Sequence, residues 1–121
     1  MISEQQIQNL RHFFKLFYFF YFFLIMDLGT TIRNIRKQRG QTQKEFATSC
    51  GITQTYLSQI ESNFKEPNLS KLKEISNCLE IPLPILFFLS LNNDDVKPEK
   101  RDAFSLINPS VKSLVNEFFK V

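Results

Sequence analysis

Residues 42–61 of this chain read TQKEFATSCGITQTYLSQIE, and this stretch decides the fold. Thr42 is followed three residues later by Glu45, the spacing of a capping box, in which the threonine hydroxyl accepts the third amide and the glutamate reaches back to the first. A helix starting there is expected to end at Gly51, because glycine adopts a positive φ at little cost. Thr53 can cap a second helix. The stretch therefore predicts two short helices joined by a tight turn.

The flanking sequence predicts further short helices and no strands. Upstream, a helix from about Leu28 to Arg39 is closed by Gly40. Downstream, Asn68 caps a fourth helix, and the Pro82 region opens a fifth, strongly apolar one. The fourth helix carries an apolar stripe with a period near 3.6 residues, which is typical of a core-facing side. Its members are Leu69, Leu72, Ile75 and Leu79.

The stretch at residues 42–61 closely resembles the helix-turn-helix of the phage-repressor (Cro-like, XRE) family. Gln43 opens the unit, Ala47 is the small residue where the two helices cross, and Gly51 makes the turn. The similarity extends over about residues 28–89. The resemblance implies an all-α fold, a compact five-helix lambda-repressor-like DNA-binding domain, to which this chain adds a C-terminal amphipathic helix. It also implies sequence-specific binding of double-stranded DNA.

The resemblance assigns roles to individual residues. The helix after the turn must enter a DNA major groove about 12 Å wide, and the family's base-reading positions fall on Gln54, Thr55 and Gln59. Glutamine can present a donor and an acceptor to adenine, and a threonine methyl can pack on thymine. The positions expected to contact phosphate are Gln43, Tyr56, Ser58, Asn63 and Lys65.

Two charged residues match a structural pair of the family. Arg36 and Glu61 are expected to form a largely buried ion pair between the first and third helices of the domain. The chain has 15 lysines and arginines against 12 acidic residues, a formal net charge of +3, which permits nucleic-acid binding without diagnosing it. The basic residues concentrate near the first helix and predict a basic edge there. They are Arg33, Arg36, Lys37, Arg39 and Lys44.

Catalysis, a metal site and cofactor binding find no support in the sequence. There is no Ser/His/Asp set and no phosphate-cradling glycine loop, and the single histidine, His12, lies outside the predicted domain. The two cysteines, Cys50 and Cys78, lack metal-ligand spacing and are expected to be small buried hydrophobic residues. We therefore expect no enzyme activity and no cofactor.

The N-terminal 25 residues are exceptionally rich in phenylalanine. The apolar run from Leu16 to Met26 would reach roughly 16 Å as a helix, about half of a bilayer's hydrocarbon core, so we expect no transmembrane span. No small-residue cleavage site follows the run, which argues against a signal peptide. Residues 1–25 are interpreted as upstream sequence outside the native protein, with Met26 as its start. The alternative is an anchor for a membrane surface or a protein partner.

The C-terminal part divides into two segments. Residues 92–107 are polar and charged and predict a solvated connector that ends the domain of residues 26–91. Residues 108–121 predict an amphipathic helix with Pro109 at its first position. The apolar face of this helix is expected to dock on Phe87 and Phe88 or to pair with a second chain. Its residues are Val111, Leu114, Val115, Phe118 and Phe119.

These inferences combine into one functional expectation. The sequence predicts a cytoplasmic transcriptional regulator, of repressor type, that binds a palindromic operator as a homodimer. The alternative is an antitoxin-type interaction module that binds a partner protein through its C-terminal apolar helix.

Overall fold

The computed structural model describes residues 1–119, and for residues 16–25 it describes the main chain alone. Over this range the chain contains seven α-helices, two single-turn 3-10 helices and no strand, which confirms the all-α prediction. The 3-10 helices are Asn93–Asp95 and Pro98–Lys100. The α-helices are α1 Glu4–Ile25, α2 Leu28–Gln38, α3 Gln43–Cys50, α4 Gln54–Glu61, α5 Leu69–Cys78, α6 Leu83–Leu89 and α7 Arg101–Phe119.

The hydrophobic core is built by the five helices α2 to α6, as the sequence predicts. Each of them contributes at least one side chain with almost no solvent exposure, and Met26 joins them from just before α2. Burial of this kind stabilises by roughly 1.5–3 kcal/mol for each large aliphatic side chain. The side chains with 0% exposure are Ile32, Leu57, Leu72, Ile75, Leu79 and Leu86.

Local capping signals determine where these helices begin and end. The capping box of Thr42 and Glu45 is present, with both reciprocal hydrogen bonds. Gly51 closes α3 at φ 70°, in the left-handed region. The side chain of Asn68 accepts the Lys71 amide at the start of α5. One residue of the predicted α5 stripe was wrong, because Leu69 lies beside the cap and is 51% exposed.

The region after α6 differs from the prediction. Residues 92–107 were expected to form a solvated connector, but the last helix begins at Arg101 and contains Pro109 in its interior. The reason is a side-chain contact that the composition did not reveal: the Arg101 guanidinium donates to the main-chain oxygens of Asn93 (3.1 Å) and Val96 (3.0 Å). These bonds fold the connector onto the first turn of α7. The domain limit near residue 91 stays a prediction.

The apolar face of α7 is divided between docking and exposure. Val115 is buried, and Phe119 packs against the core, while an NH group of Arg39, the residue after α2, donates to the Phe119 carbonyl oxygen at 3.3 Å. In contrast, Leu114 is 54% and Phe118 is 78% exposed. One side of the predicted face therefore docks on its own chain, and the other remains available.

The predicted role of the two cysteines is wrong. Cys50 and Cys78 are both half-buried rather than core residues, and they are joined as a disulfide with their Cα atoms 5.6 Å apart. That Cα separation is the common one for disulfides. The sequence did not reveal this pairing because 28 residues separate the two positions.

The N-terminal helix α1 continues the chain upstream of the domain. The side chains of its apolar part, residues 16–25, lie outside the described residues. The interpretation of this segment as upstream sequence, and its alternative as an anchor, therefore stay predictions. In the described part of the chain, no helix combines the length and hydropathy that crossing a membrane requires.

Candidate nucleic-acid interface

The turn between α3 and α4 sets the relative position of the two helices. The Ile52 amide donates to the Ala47 carbonyl oxygen at 3.0 Å, and Gly51 supplies the left-handed residue that this geometry needs. Ala47 itself is 2% exposed. A small side chain at this position lets the helices approach closely, so that α4 packs tightly on α3.

Helix α4 has one buried face and one exposed face. Leu57 and Ile60 are almost fully buried, whereas Gln54, Thr55 and Ser58 are exposed. Because residues four apart lie on the same side of a helix, Gln54 lies above Ser58. The predicted base reader Gln59 follows Thr55 in the same way and is half-buried. The structure therefore brings the predicted readers and Ser58 together on one accessible surface.

Tyr56 differs from its neighbours on α4. It is half-buried and packs against the hydrophobic core. Its ring therefore contributes to stability, and the predicted phosphate contact would involve only its outer part.

The ion pair expected between Arg36 and Glu61 is present and buried. The guanidinium donates to both carboxylate oxygens, at 2.6 Å and 3.3 Å, with side-chain exposures of 6% and 3%. A further guanidinium NH donates to the Gln41 carbonyl oxygen at 2.7 Å. Such bidentate pairing of arginine with a carboxylate fixes geometry as well as charge, so the pair joins the end of α4 to α2.

Gln43 was expected to contact phosphate, but its side chain has an additional role. Its amide donates to the second carboxylate oxygen of Glu61 at 2.9 Å. Gln43 is also the first residue of α3, where main-chain amides point outward and favour an anion. The phosphate contact stays a prediction for the main chain at this helix start and for the remaining NH of the side chain.

Asn63 has a structural role that the resemblance did not indicate. Its side-chain amide donates to the Asp27 carboxylate at 2.6 Å, and its side-chain oxygen accepts the Gly29 amide at 3.0 Å. Its main chain lies at φ 58°, in the left-handed region that asparagine tolerates better than most residues. Its side-chain oxygen and one of its two amide hydrogens thus serve the contact between α2 and the end of α4, and the predicted phosphate contact stays a prediction for the remaining NH of this exposed side chain.

The following two residues project from this loop. The amides of Phe64 and Lys65 both donate to the Gln59 carbonyl oxygen, at 2.9 Å and 3.1 Å, which fixes their main chain at the end of α4. The Lys65 side chain is exposed, as a phosphate-binding lysine must be. Phe64, between the predicted phosphate contacts Asn63 and Lys65, is 76% exposed.

The basic edge predicted near α2 is only partly formed. Arg33, Lys37 and Lys44 are exposed and Arg39 is half-buried, but Arg36 lies inside the domain in its ion pair. In the described part of the chain, no group of three or more His, Cys, Asp or Glu residues is arranged to hold a metal ion.

Asp27 carries a shifted pKa at the start of α2. Its side chain caps the helix by accepting the Thr30 amide at 3.1 Å. Burial alone would raise its pKa, but the hydrogen bonds from Asn63 and Thr30 favour the ionised form and lower the pKa below its usual value.

Replacing Asp27 by asparagine is expected to make the free energy of unfolding depend less on pH in the acid range. The ionised carboxylate stabilises the fold above the unfolded-state pKa of about 3.9. That contribution is lost as the pH falls through the lower pKa of the folded state. Asparagine keeps a capping oxygen but does not titrate. Urea unfolding from roughly pH 2 to pH 7 measures the difference. Asp94→Asn, at an exposed site, should keep the parent profile; an identical profile for Asp27→Asn would contradict the assignment.

The geometry defines an all-α helix-turn-helix domain, and comparisons with known proteins identify the family. The family model described as "Helix-turn-helix" matches residues 32–86. This chain is similar in structure to the restriction-modification controller protein C.Esp1396I, whose crystal structure is known. The two match with a TM-score of 0.50 and 30% sequence identity, over 55% of this chain and 86% of C.Esp1396I. The chain belongs to the phage-repressor-type (Cro-like, XRE) helix-turn-helix family.

Two curated relatives illustrate the similarity. The HTH-type transcriptional regulator ImmR of Bacillus subtilis is 28% identical over 92 residues, which are 76% of this chain and 68% of ImmR. The immunity repressor protein of Bacillus phage phi105 is 36% identical over 56 residues, 46% of this chain and 39% of the repressor. The chain spans between 31% and 54% of the length of the other matching regulators.

Proposed function

We propose that this protein binds double-stranded DNA sequence-specifically and regulates transcription, acting as a repressor at a palindromic operator. The observation that carries the proposal is the division of α4, whose inner face is buried in the core and whose outer face presents Gln54, Thr55 and Ser58 to solvent. Packing alone does not require a polar first turn beside a glycine turn. A helix entering the major groove does require polar side chains at its N-terminal end.

The proposed contacts divide into reading and positioning. Gln54, Thr55 and Gln59 read base edges, where glutamine can form two hydrogen bonds with adenine and the threonine methyl can pack on thymine. Lys65 and the amide-bearing start of α3 contact phosphates, which fix the register of the protein without specifying sequence. Ser58 and the outer part of Tyr56 add contacts to phosphate. The buried ion pair holds α4 at the angle on which all these contacts depend.

The proposal includes a homodimer on an inverted repeat. Leu114 and Phe118 of α7 are exposed, together with Ile107 one heptad before Leu114. Apolar residues at a spacing of four and seven lie along one side of a helix and favour packing against a second helix. Two recognition helices in such a dimer would read half-sites about one helical turn, roughly 34–36 Å, apart. We also propose a cytoplasmic location and no enzymatic activity.

The antitoxin-type partner gains no support from the relatives named above, and we do not propose it. The exposed side of α7 is assigned to the second copy instead. The size of the protein on its operator, measured by light scattering, would reveal one chain or two.

Gln54→Ala tests the reading role directly. The variant should lose roughly 1–3 kcal/mol of binding free energy on the preferred duplex, with relaxed preference at a single base position. The preferred duplex is first selected from a random pool with the full chain. Binding of the parent and the variant to this duplex and to random DNA is then measured at several salt concentrations.

Lys65→Ala is the matched control for that experiment. It removes a phosphate contact, so it should weaken binding to all duplexes alike and reduce the salt slope by about one. Equal losses on selected and random DNA for Gln54→Ala would refute its reading role. Failure of the pool to yield any preferred duplex would overturn sequence-specific binding itself.

A further inference from the structure

The chain has two cysteines, and the fold brings them together at the ends of two helices. Cys50 is the last residue of α3, immediately before the glycine turn, and Cys78 is the last residue of α5. Their Cα atoms lie 5.6 Å apart although the residues are 28 positions apart in the chain. The ring closed by this pair contains the turn and all of α4 and α5. A bond here therefore encloses the helix proposed to read DNA.

Core packing, independent of the bond, holds the two cysteines near each other. Phe46 precedes Cys50 by one helical turn and is 1% exposed, and Ile75 precedes Cys78 by three residues and is 0% exposed. Both belong to the same buried cluster. Because these anchors fix the last turns of α3 and α5, the two sulfur atoms stay close in the reduced chain as well. Pre-organised neighbouring thiols close a disulfide readily, since little chain entropy remains to be lost.

The environment of the pair suits both redox states. Both cysteines are half-buried, so a small oxidant or reductant can reach them. Cys50 Sγ also lies 3.8 Å from the Glu74 carbonyl oxygen. A reduced Cys50 thiol can donate to this oxygen, so that breaking the disulfide leaves the sulfur with a polar partner.

We propose that Cys50 and Cys78 form a reversible site of thiol–disulfide exchange whose substrates are small-molecule disulfides. The thiolate of one cysteine attacks a sulfur of the external disulfide, forming a mixed disulfide and releasing one thiol. The second cysteine, as its thiolate, then attacks the protein sulfur of the mixed disulfide, forming the Cys50–Cys78 bond and releasing the second thiol. The two protein thiols are oxidised, the external disulfide is reduced to two thiols, and their protons pass from the protein thiols to the products.

The bond controls the stability of the unit around α4. A cross-link restricts the unfolded chain and so favours the folded state, more strongly for a longer ring. Disulfides in reducing compartments are mostly transient and redox-sensing. If the cytoplasmic location in the proposed function holds, the chain would normally be reduced and would gain stability on oxidation. Only this last step, the reduced resting state of the chain, rests on the proposed function; the thiol chemistry does not.

The test uses the full chain with oxidised glutathione as the probe. After reduction, iodoacetamide should modify both cysteines of the unfolded chain. After treatment with excess oxidised glutathione, it should modify neither, and the monomer should be lighter by the mass of the two lost hydrogen atoms. The melting temperature should rise by roughly 10 to 20 °C on oxidation and return to its reduced value with dithiothreitol.

The double variant Cys50→Ser/Cys78→Ser is the matched control, and its melting temperature should be the same under both treatments. Several results would overturn the proposal: both thiols still open to alkylation, glutathione retained as a stable mixed disulfide, disulfide-linked dimers, or an unchanged melting temperature after oxidation. The alkylation result on the native sequence decides the matter even if the double variant does not fold. A chain that binds no DNA can still show every expected result, so this failure and that of the proposed function are distinguishable.

Discussion

Glu61→Leu is expected to destabilise the protein by roughly 3–5 kcal/mol, because it leaves the Arg36 guanidinium buried without a counter-charge. Arg36 is 5% exposed, and its interactions all point inward, two to Glu61 and one to the Gln41 carbonyl oxygen. Gln43 would also lose the acceptor of its side-chain amide. Since whole domains are stable by only about 5–15 kcal/mol, this single change would leave little stability. Urea unfolding at low temperature is the appropriate measurement.

The double variant Arg36→Met/Glu61→Leu distinguishes loss of a charge partner from loss of packing. Removing both charges also removes the cost of burying them, so the double variant should be more stable than either single variant and close to the parent. Ser58→Ala, on the exposed side of the same helix, should have little effect. If each single variant lost less than about 1 kcal/mol, the pair would behave like a surface ion pair. Its assigned role in orienting α4 would then be wrong.

The parts of the fold that the sequence predicted correctly are those specified by nearby residues. A capping box requires two side chains three residues apart, and a left-handed turn requires one glycine. Thr42, Gly51 and Asn68 therefore mark helix ends that the structure reproduces. The predicted apolar stripe of α5 likewise identified three fully buried residues, Leu72, Ile75 and Leu79, because the core-facing side of a helix repeats every 3.6 residues.

The parts that the sequence did not predict depend on side-chain contacts that no periodic pattern or capping signal encodes. Arg101 binds the carbonyl oxygens of Asn93 and Val96, and this carries α7 past the proline where a new helix was expected to start. Cys50 meets Cys78 only because α3 and α5 pack together. No local pattern contains such information. A longer-range signal existed only for the ion pair, and it came from the family resemblance.

The sequence located the candidate site on the surface but did not show which hydrogen bonds its side chains make within the domain. Gln54 and Thr55 lie on the exposed side of α4 as expected, but surface position alone does not show what a side chain already binds. Asn63 and Gln43 both have polar atoms in the right region, and both use them inside the domain. A residue that contacts DNA needs free donors or acceptors, and the hydrogen-bond partners seen in the structure show which polar atoms of these candidates are already engaged.

Gly29→Ala is the second large effect that we expect. Gly29 lies in the first turn of α2 against the end of α4, and a Cβ atom there would stand 2.3 Å from the Ile60 carbonyl oxygen and 2.5 Å from the Asn63 side-chain oxygen. The first of these is main chain and cannot rotate away, so α2 and α4 must separate. Overpacking of this kind costs about 1–3 kcal/mol, occasionally more. The melting temperature should fall accordingly.

The change should also weaken DNA binding more than its cost in stability explains. Separation of the helices would break the hydrogen bond from the Gly29 amide to Asn63 and displace the loop that carries Lys65. Thr30→Ala is the matched control, since this neighbouring residue is exposed on the same helix turn. DNA affinity is measured well below both melting temperatures, so that both variants are folded. A Gly29→Ala protein with the stability and DNA affinity of the parent would show that α2 and α4 do not approach each other as closely as the structure indicates. The assignment of Asn63 as the link between these helices would then be wrong.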